Sequence, residues 1–208
     1  MPFKKINFFS PFYLKINLKD DFKLIRDEIL SDISYNYNLK NSNCTWWGVN
    51  TDEKKPASDL EGLKKINYDK IIPIYEKCLN DYNKENLNIK HEVKIDDIWY
   101  VAYDKGKEAS IHQHANGGNN ENFSCIHFFK FDPKLHNSVT FCNNRRVINR
   151  YYTKKDAKFK DIDYFNEEFT PDVVQDDLIV FTSETYHRVK KNESEELRIT
   201  ICFNVKLV

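Results

Sequence analysis

The sequence contains little glycine or proline, and it has no excess of charge of either sign. Five glycines and six prolines among 208 residues argue against a disordered or low-complexity chain. The 32 basic and 32 acidic residues give a formal net charge of zero, so no electrostatic feature favours nucleic acid as a partner. Because 40% of the residues are hydrophobic, the chain can bury a sizeable core, and we expect a single domain over residues 1–208.

Signals for membrane insertion and secretion are also missing. No stretch reaches the roughly 18 apolar residues of a transmembrane helix, and the segment Met1–Asn7 lacks the apolar core of a signal peptide. The five cysteines are odd in number and show no C-x-x-C spacing, which is typical of reduced thiols. We therefore expect a cytoplasmic protein with no membrane partner.

The first part of the chain has the apolar spacing of amphipathic helices. Residues 19–33 place apolar side chains on one helical stripe, with Asp20 as the candidate N-cap. A capping box opens a short helix at Ser58–Ile66, and Asp69–Tyr82 forms a third. We expect residues 1–92 to be a mostly helical support.

From about Val93 the pattern changes to short strands separated by Asn, Gly and Asp turns. Five segments are rich in β-branched and aromatic residues: Ile98–Tyr103, Phe123–Phe131, Val139–Phe141, Leu178–Phe181 and Arg198–Val205. Many short strands favour a sandwich or jelly roll over a parallel α/β sheet. The predicted fold class is mainly β with N-terminal helices, a distorted double-stranded β-helix whose core spans 93–208. The segment 143–172 is predicted to be an insertion.

Three histidines carry the candidate chemistry. His112 and His114 are two residues apart, so in an extended strand both imidazoles point to the same side. A third imidazole, from His187 beyond a distant apolar strand, would complete a trio that leaves open metal positions for substrate and oxygen, as iron requires. An isolated H-x-H is more often a surface pair, and zinc, copper and nickel also accept three imidazoles.

An arginine in the last strand is the second candidate. Arg198, Thr200 and Cys202 share one face of this strand, while the three residues between them and after them are apolar and share the other. An arginine inside a β-structure needs an anion to offset its desolvation. A substrate carboxylate would supply it, although a surface pair with Glu195 or Glu196 is the simpler alternative.

These residues together resemble a known family, the Fe(II)/2-oxoglutarate-dependent oxygenases, and within it the prolyl-hydroxylase-like branch. The resemblance rests on Tyr103-x-x-Gly106, His112-x-His114, the strand Asp177–Phe181, His187 and Arg198-x-Thr200. The branch has His-x-Asp where this chain has His-x-His. A poorly characterised subgroup of the superfamily shares that replacement, and it also shares the ending Arg198–Asn204.

The resemblance implies a distorted jelly roll and a set of site residues. His112, His114 and His187 would bind Fe(II). Arg198 would anchor the distal carboxylate of 2-oxoglutarate, with a hydroxyl donor from Thr200 or Tyr103. His127 would line the cosubstrate pocket, unless it is a buried structural histidine. With O2, such a site hydroxylates a C–H bond of a protein or peptide side chain or of a small metabolite, releasing succinate and CO2.

Several alternatives remain open at this stage. A cupin would also show a glycine ahead of a His-x-His pair, although the glutamate expected soon after it is absent and a cupin does not require Arg198. The site could be a catalytically degenerate binding module, or Asp104 or Glu121 could supply the missing carboxylate. The segment 143–172 and the loop Trp46–Thr51 would be the substrate-selecting surfaces, because loops at the mouth of a rigid barrel set specificity. A homodimer is compatible with the sequence but has no support in it.

Overall fold

The computed structural model describes residues 4–7, 12–39, 46–50, 66–87, 91–114, 123–143 and 168–208. The predicted helix at Ser58–Ile66 and the predicted insertion at 143–172 lie almost wholly outside these ranges. The described part is mostly β-structure, arranged in two antiparallel sheets.

The strands are, in chain order, β1 (Lys4–Asn7), β2 (Phe12–Asn17), β3 (Trp46–Asn50), β4 (Val93–Tyr103), β5 (Ala109–His112), β6 (Phe123–Lys130), β7 (Val139–Cys142), β8 (Glu168–Phe169), β9 (Asp177–Thr182), β10 (His187–Val189) and β11 (Arg198–Leu207). The larger sheet has the order β1-β2-β9-β6-β11-β4-β3, and the smaller has the order β5-β10-β7-β8. All five predicted strands are present. Because β11 lies between β6 and β4, every residue along most of its length is buried.

The helices are α1 (Lys19–Phe22), α2 (Arg26–Leu39) and α3 (Ile72–Tyr82). A 3-10 turn at Tyr68–Lys70 precedes α3, and a π-helical turn at Asn83–Leu87 follows it. The predicted helix at 19–33 is interrupted by a turn after α1, and the prediction of Asp20 as its N-cap is wrong. The N-cap is Leu18, which makes no side-chain capping bond. No helix among the described residues has the length and apolar character needed to cross a bilayer.

The N-terminal part also contributes strands, which the sequence did not predict. β1 and β2 extend the larger sheet beyond β9, and β3 pairs with β4 at the opposite edge. Trp46 and Trp47, expected in a loop, belong to β3. The apolar periodicity of these short segments is weak, and pairing supplies the hydrogen bonds that hold them extended. β3 pairs with β4, β2 pairs with β9, and β1 pairs with β2.

Both faces of the larger sheet are covered. One face packs against the helices, as shown by the cluster that joins Ile29, Ile33 and Tyr75 to Phe203 of β11. The other face meets the smaller sheet through a second cluster, which includes Phe141 of the smaller sheet and Phe181 of the larger. Alternate residues of one strand therefore enter different layers, and the candidate site residues of β11 point toward the smaller sheet.

Candidate active site

The structure brings the three predicted histidines together at one end of the smaller sheet. His112 ends β5, and it is paired directly with His187, the first residue of β10. His114 lies just beyond β5, where its backbone N–H donates to the Ser183 carbonyl at 3.0 Å. One ligand nitrogen from each ring lies within 4.8 Å of the other two. Two distant segments of the sequence thus converge on a single point, as a metal site requires.

Backbone carbonyls fix the orientation of two of these rings. His112 Nδ1 lies 2.7 Å from the Ser110 carbonyl oxygen, and His187 Nδ1 lies 2.9 Å from that of Thr185. A carbonyl oxygen only accepts, so each Nδ1 carries the proton and each Nε2 keeps a free lone pair. This is the tautomer that binds a metal through Nε2.

Burial lowers the pKa values of two of the three imidazoles, those of His114 and His187. Desolvation, followed by the proximity of His112, lowers the pKa of His114 to about 4. The same two causes, in the same order, lower the pKa of His187 to about 3. Both imidazoles are therefore neutral near pH 7, and they can donate to a divalent metal without first losing a proton.

Among the described residues, this metal-binding group contains no carboxylate. Asp104, one proposed substitute, accepts a hydrogen bond from the Tyr37 hydroxyl at 2.8 Å and does not line the cavity beside the histidines. Glu121, the other, lies outside the described residues. Three imidazole ligands suit Fe(II) as well as zinc, copper and nickel.

Arg198, the first residue of β11, is buried with only 1% of its surface exposed. Its guanidinium carbon lies 4.9 Å from the ring centre of Tyr103, its direct partner on β4, and its Nε and Nη1 have no hydrogen-bond partner. Burial lowers its pKa, yet arginine stays protonated in proteins. A buried cation with free N–H groups fits a carboxylate ligand.

The simpler explanation of Arg198, an ion pair with a nearby surface glutamate, does not hold. Glu195 pairs with Lys105, and Glu196 lies 3.8 Å from Lys130 Nζ. Neither carboxylate is paired with Arg198, which faces the space between the sheets.

The histidines and Arg198 open onto the same cavity. It has a volume of about 280 Å³ and is lined by Trp99, Val101, Tyr103, Glu108, Ala109, His112, His114, Ser124, Cys125, Ile126, Phe181, His187, Val189, Arg198, Thr200 and Cys202. Tyr103 and Thr200, the two predicted hydroxyl donors, are thus both at the cavity wall. Burial raises the pKa of Tyr103 to about 12, so its hydroxyl keeps its proton at neutral pH.

The prediction for His127 is corrected by the structure. His127 pairs in register with Ile201, so it shares the helix-covered face of the sheet and does not line the cavity. Its Nδ1 lies 2.8 Å from the Tyr75 hydroxyl, and it is fully buried. Desolvation, with a smaller effect of Arg26, lowers its pKa to about 3. His127 is a structural histidine under α1 and α3.

A family model described as "Putative 2OG-Fe(II) oxygenase" matches residues 97–204, which is more than half of the 208-residue chain. The chain belongs to this family. The matched segment contains His112, His114, His187 and Arg198. Membership implies an enzyme that uses Fe(II), 2-oxoglutarate and O2, and the neutral histidines and the unpaired guanidinium fit the first two. A search of curated proteins finds no significant match.

Solved structures share the fold of this 2OG-Fe(II) oxygenase at low sequence identity. A Pseudomonas putida prolyl-4-hydroxylase has a TM-score of 0.56 and 10% identity, over 93% of this chain and 91% of that one. The viral collagen prolyl hydroxylase of Paramecium Bursaria Chlorella virus-1, in complex with 2OG, has a TM-score of 0.50 and 14% identity, over 94% and 96%. The epimerase SnoN from nogalamycin biosynthesis has a TM-score of 0.57 and 9% identity, over 93% and 76%.

The oxygenase site includes residues that sequence reasoning did not assign to it, among them Trp99 and Ser124. Trp99 lies with its ring centre 5.6 Å from that of His114. Ser124 is buried at the cavity wall and donates to Asn204 Oδ1 at 2.9 Å. Trp99 could have been predicted, because it lies four residues before Tyr103 on β4, and residues separated by an even number along a strand share one face. No sequence signal distinguished Ser124.

Proposed function

We propose that this oxygenase is an Fe(II)- and 2-oxoglutarate-dependent dioxygenase that hydroxylates a C–H bond and releases succinate and CO2. The observation that carries the proposal is the shared cavity, where three imidazole nitrogens and a buried, unpaired guanidinium face the same space. A molecule that needs both a metal ligand and a carboxylate anchor fits this pair of features. 2-Oxoglutarate has a 2-oxo acid at one end and a carboxylate at the other.

Each site residue has a role under this proposal. His112, His114 and His187 would hold Fe(II) through the Nε2 lone pairs. Arg198 would bind the distal carboxylate of 2-oxoglutarate through two parallel N–H donors. When bound, the iron supplies the redox chemistry that joins O2 to the oxidation of the 2-oxo acid and of the substrate. His114 would stand where relatives of the prolyl-hydroxylase branch have an aspartate.

The hydroxyl groups of Tyr103 and Thr200 would complete the anchor. The pKa of Tyr103 is raised to about 12, so the phenol can accept from Arg198 and still donate its own proton to a carboxylate oxygen. Thr200 is 2% exposed and lies on the same strand face as Arg198. The surrounding apolar side chains, such as Val101 and Ile126, exclude water and thereby strengthen these hydrogen bonds.

The substrate of this enzyme is proposed to be a protein or peptide side chain, with a small metabolite as the second choice. Two of the structural neighbours are prolyl hydroxylases, which supports the first choice, whereas the epimerase SnoN shows that the same fold carries other reactions. We further propose that the two sheets form a distorted double-stranded β-helix within one domain, and that the protein is cytoplasmic.

An anaerobic titration tests the proposal. Fe(II) and then 2-oxoglutarate are added to the metal-free protein, and the visible metal-to-ligand charge-transfer absorption is followed. We expect a band that needs both components, is lost in His112→Ala with the metal, and is lost in Arg198→Ala with the metal still bound. A bound metal without any band would favour a three-histidine site of the cupin type. Failure to bind metal would overturn the proposal.

A further inference from the structure

The turn that leads into β11 is organised by one buried asparagine. Asn192 is 2% exposed, and its Nδ2 donates to the Tyr103 carbonyl at 2.9 Å and to the Glu196 carbonyl at 3.0 Å. Its backbone carbonyl accepts from Gly106 N–H at 2.7 Å, and its backbone N–H donates to the Lys107 carbonyl at 2.9 Å. This residue therefore ties the end of β4 to the segment just before β11.

A buried histidine holds the same carbonyl from another side. His136 is only 7% exposed. Its Nδ1 accepts from the Asp132 backbone N–H at 3.0 Å, so the ring proton is on Nε2, which donates to the Glu196 carbonyl at 3.1 Å. The Glu196 carbonyl thus receives two hydrogen bonds, two residues before Arg198.

These contacts surround the guanidinium of Arg198. Tyr103, whose carbonyl accepts from Asn192, is the residue whose ring lies 4.9 Å from the guanidinium carbon. Phe131, whose ring centre lies 5.7 Å from that of His136, lies 5.9 Å from the same carbon. Asn192 and His136 therefore hold in place the backbone that carries Arg198, and they also contact the two residues, Tyr103 and Phe131, whose rings flank its guanidinium.

We propose that Asn192 and His136 are positioning residues for the Arg198 anchor, and that they set the affinity of the oxygenase for 2-oxoglutarate without touching it. The inference rests on the proposed function, since it assumes that Arg198 binds the distal carboxylate. A bidentate pair tolerates little displacement of the guanidinium. A shift of the Glu196 backbone would move Arg198 relative to the metal, whose ligands are on the other sheet.

The test measures two dissociation constants under anaerobic conditions, that of Fe(II) and that of 2-oxoglutarate for the Fe(II)-loaded protein. Asn192→Asp keeps the oxygen that accepts from Ser194 N–H at 3.2 Å but loses both Nδ2 donors. We expect the dissociation constant of 2-oxoglutarate to rise about tenfold, the size of one buried hydrogen bond, while that of Fe(II) changes less than about twofold. His136→Phe should act similarly, and His136→Gln should recover most of the affinity because its amide can donate to the Glu196 carbonyl.

Asn137→Ala provides the matched control. Asn137 is exposed and its Nδ2 donates to the Lys191 carbonyl at 2.9 Å, so it supports the same turn without reaching Glu196 or Tyr103. It should leave both constants unchanged. Equal weakening of Fe(II) and 2-oxoglutarate, or an effect as large in Asn137→Ala, would show a general loss of structure and overturn the inference. If the wild type binds Fe(II) but not 2-oxoglutarate, the proposed function fails first, and the inference fails with it.

Discussion

Replacement of Arg198 by methionine is expected to stabilise the metal-free, cosubstrate-free protein while removing its affinity for 2-oxoglutarate. Arg198 is 1% exposed, and its Nε and Nη1 have no partner. A buried ion without a counterion carries a desolvation penalty of several kcal/mol. Methionine has a similar length and no charge, so it can occupy the same space between the sheets without that penalty.

The magnitude follows from what the arginine gains in return. The guanidinium donates a hydrogen bond to the Tyr103 hydroxyl, which contributes about 1.5–3 kcal/mol, and its contact with the Tyr103 ring contributes about 0.5–2 kcal/mol. These gains fall short of the penalty, and replacement of buried charges by apolar residues of similar volume stabilises proteins by about 1–4 kcal/mol. For a chain of this size each kcal/mol corresponds to about 2–4 °C in Tm.

Thermal unfolding of the two metal-free proteins by calorimetry measures this difference. The Tm of Arg198→Met should rise by about 2–16 °C, and 2-oxoglutarate should bind the Fe(II)-loaded variant at least about 100-fold more weakly, as expected for loss of a buried charge pair. Arg198→Lys serves as the control, because it retains the buried charge without the two-donor geometry. A fall in Tm together with unchanged cosubstrate affinity would show that Arg198 is a structural cation.

Three further predictions concern single residues. His187→Ala should weaken Fe(II) binding at least about 100-fold, as measured by anaerobic titration, because two imidazoles do not form a facial site; unchanged affinity would remove His187 from the site. Thr200→Val should raise the dissociation constant of 2-oxoglutarate about fivefold and leave Fe(II) affinity unchanged. The pKa of His127 is lowered to about 3 in the native state, whereas in the unfolded chain it is about 6.5. Between these two values the unfolded state binds a proton that the native state does not bind, so stability falls as the pH drops below about 6.5. The free energy of unfolding in urea should therefore fall by about 3 kcal/mol more between pH 7 and about pH 4 in the wild type than in His127→Phe; parallel pH profiles would contradict this.

Five strands could be predicted from their β-branched and aromatic content, and the two faces of the central strand could be predicted from strict alternation. In β11, Arg198 and Thr200 face one layer and Ile199 and Ile201 face the other, as the period of two requires. The meeting of His112 with His187 could also be anticipated, but only from the family resemblance. The sequence alone does not show which strands pair.

The side assigned to His127 could not be predicted in the same way. Alternation along β6 predicts that His127 shares a face with Cys125 and Phe129, but both faces of β6 are buried, so the pattern does not show which face meets the cavity. The strands β1 to β3 were missed because long-range pairing, more than local propensity, keeps them extended. The burial of His136 depends on the Glu196 carbonyl, 60 residues away in the chain.

The metal ligands and the carboxylate anchor belong to different sheets, His112 and His187 to the smaller and Arg198 to the larger. Facing sheets are held about 10 Å apart by the side chains between them, here including Phe141 and Phe181, whose ring centres lie 4.9 Å apart. An acid that spans this gap must match its width. Under the proposed function, core packing therefore selects the chain length of the 2-oxo acid. A 2-oxo acid of only three carbons would bind the metal but would be too short to reach the guanidinium of Arg198.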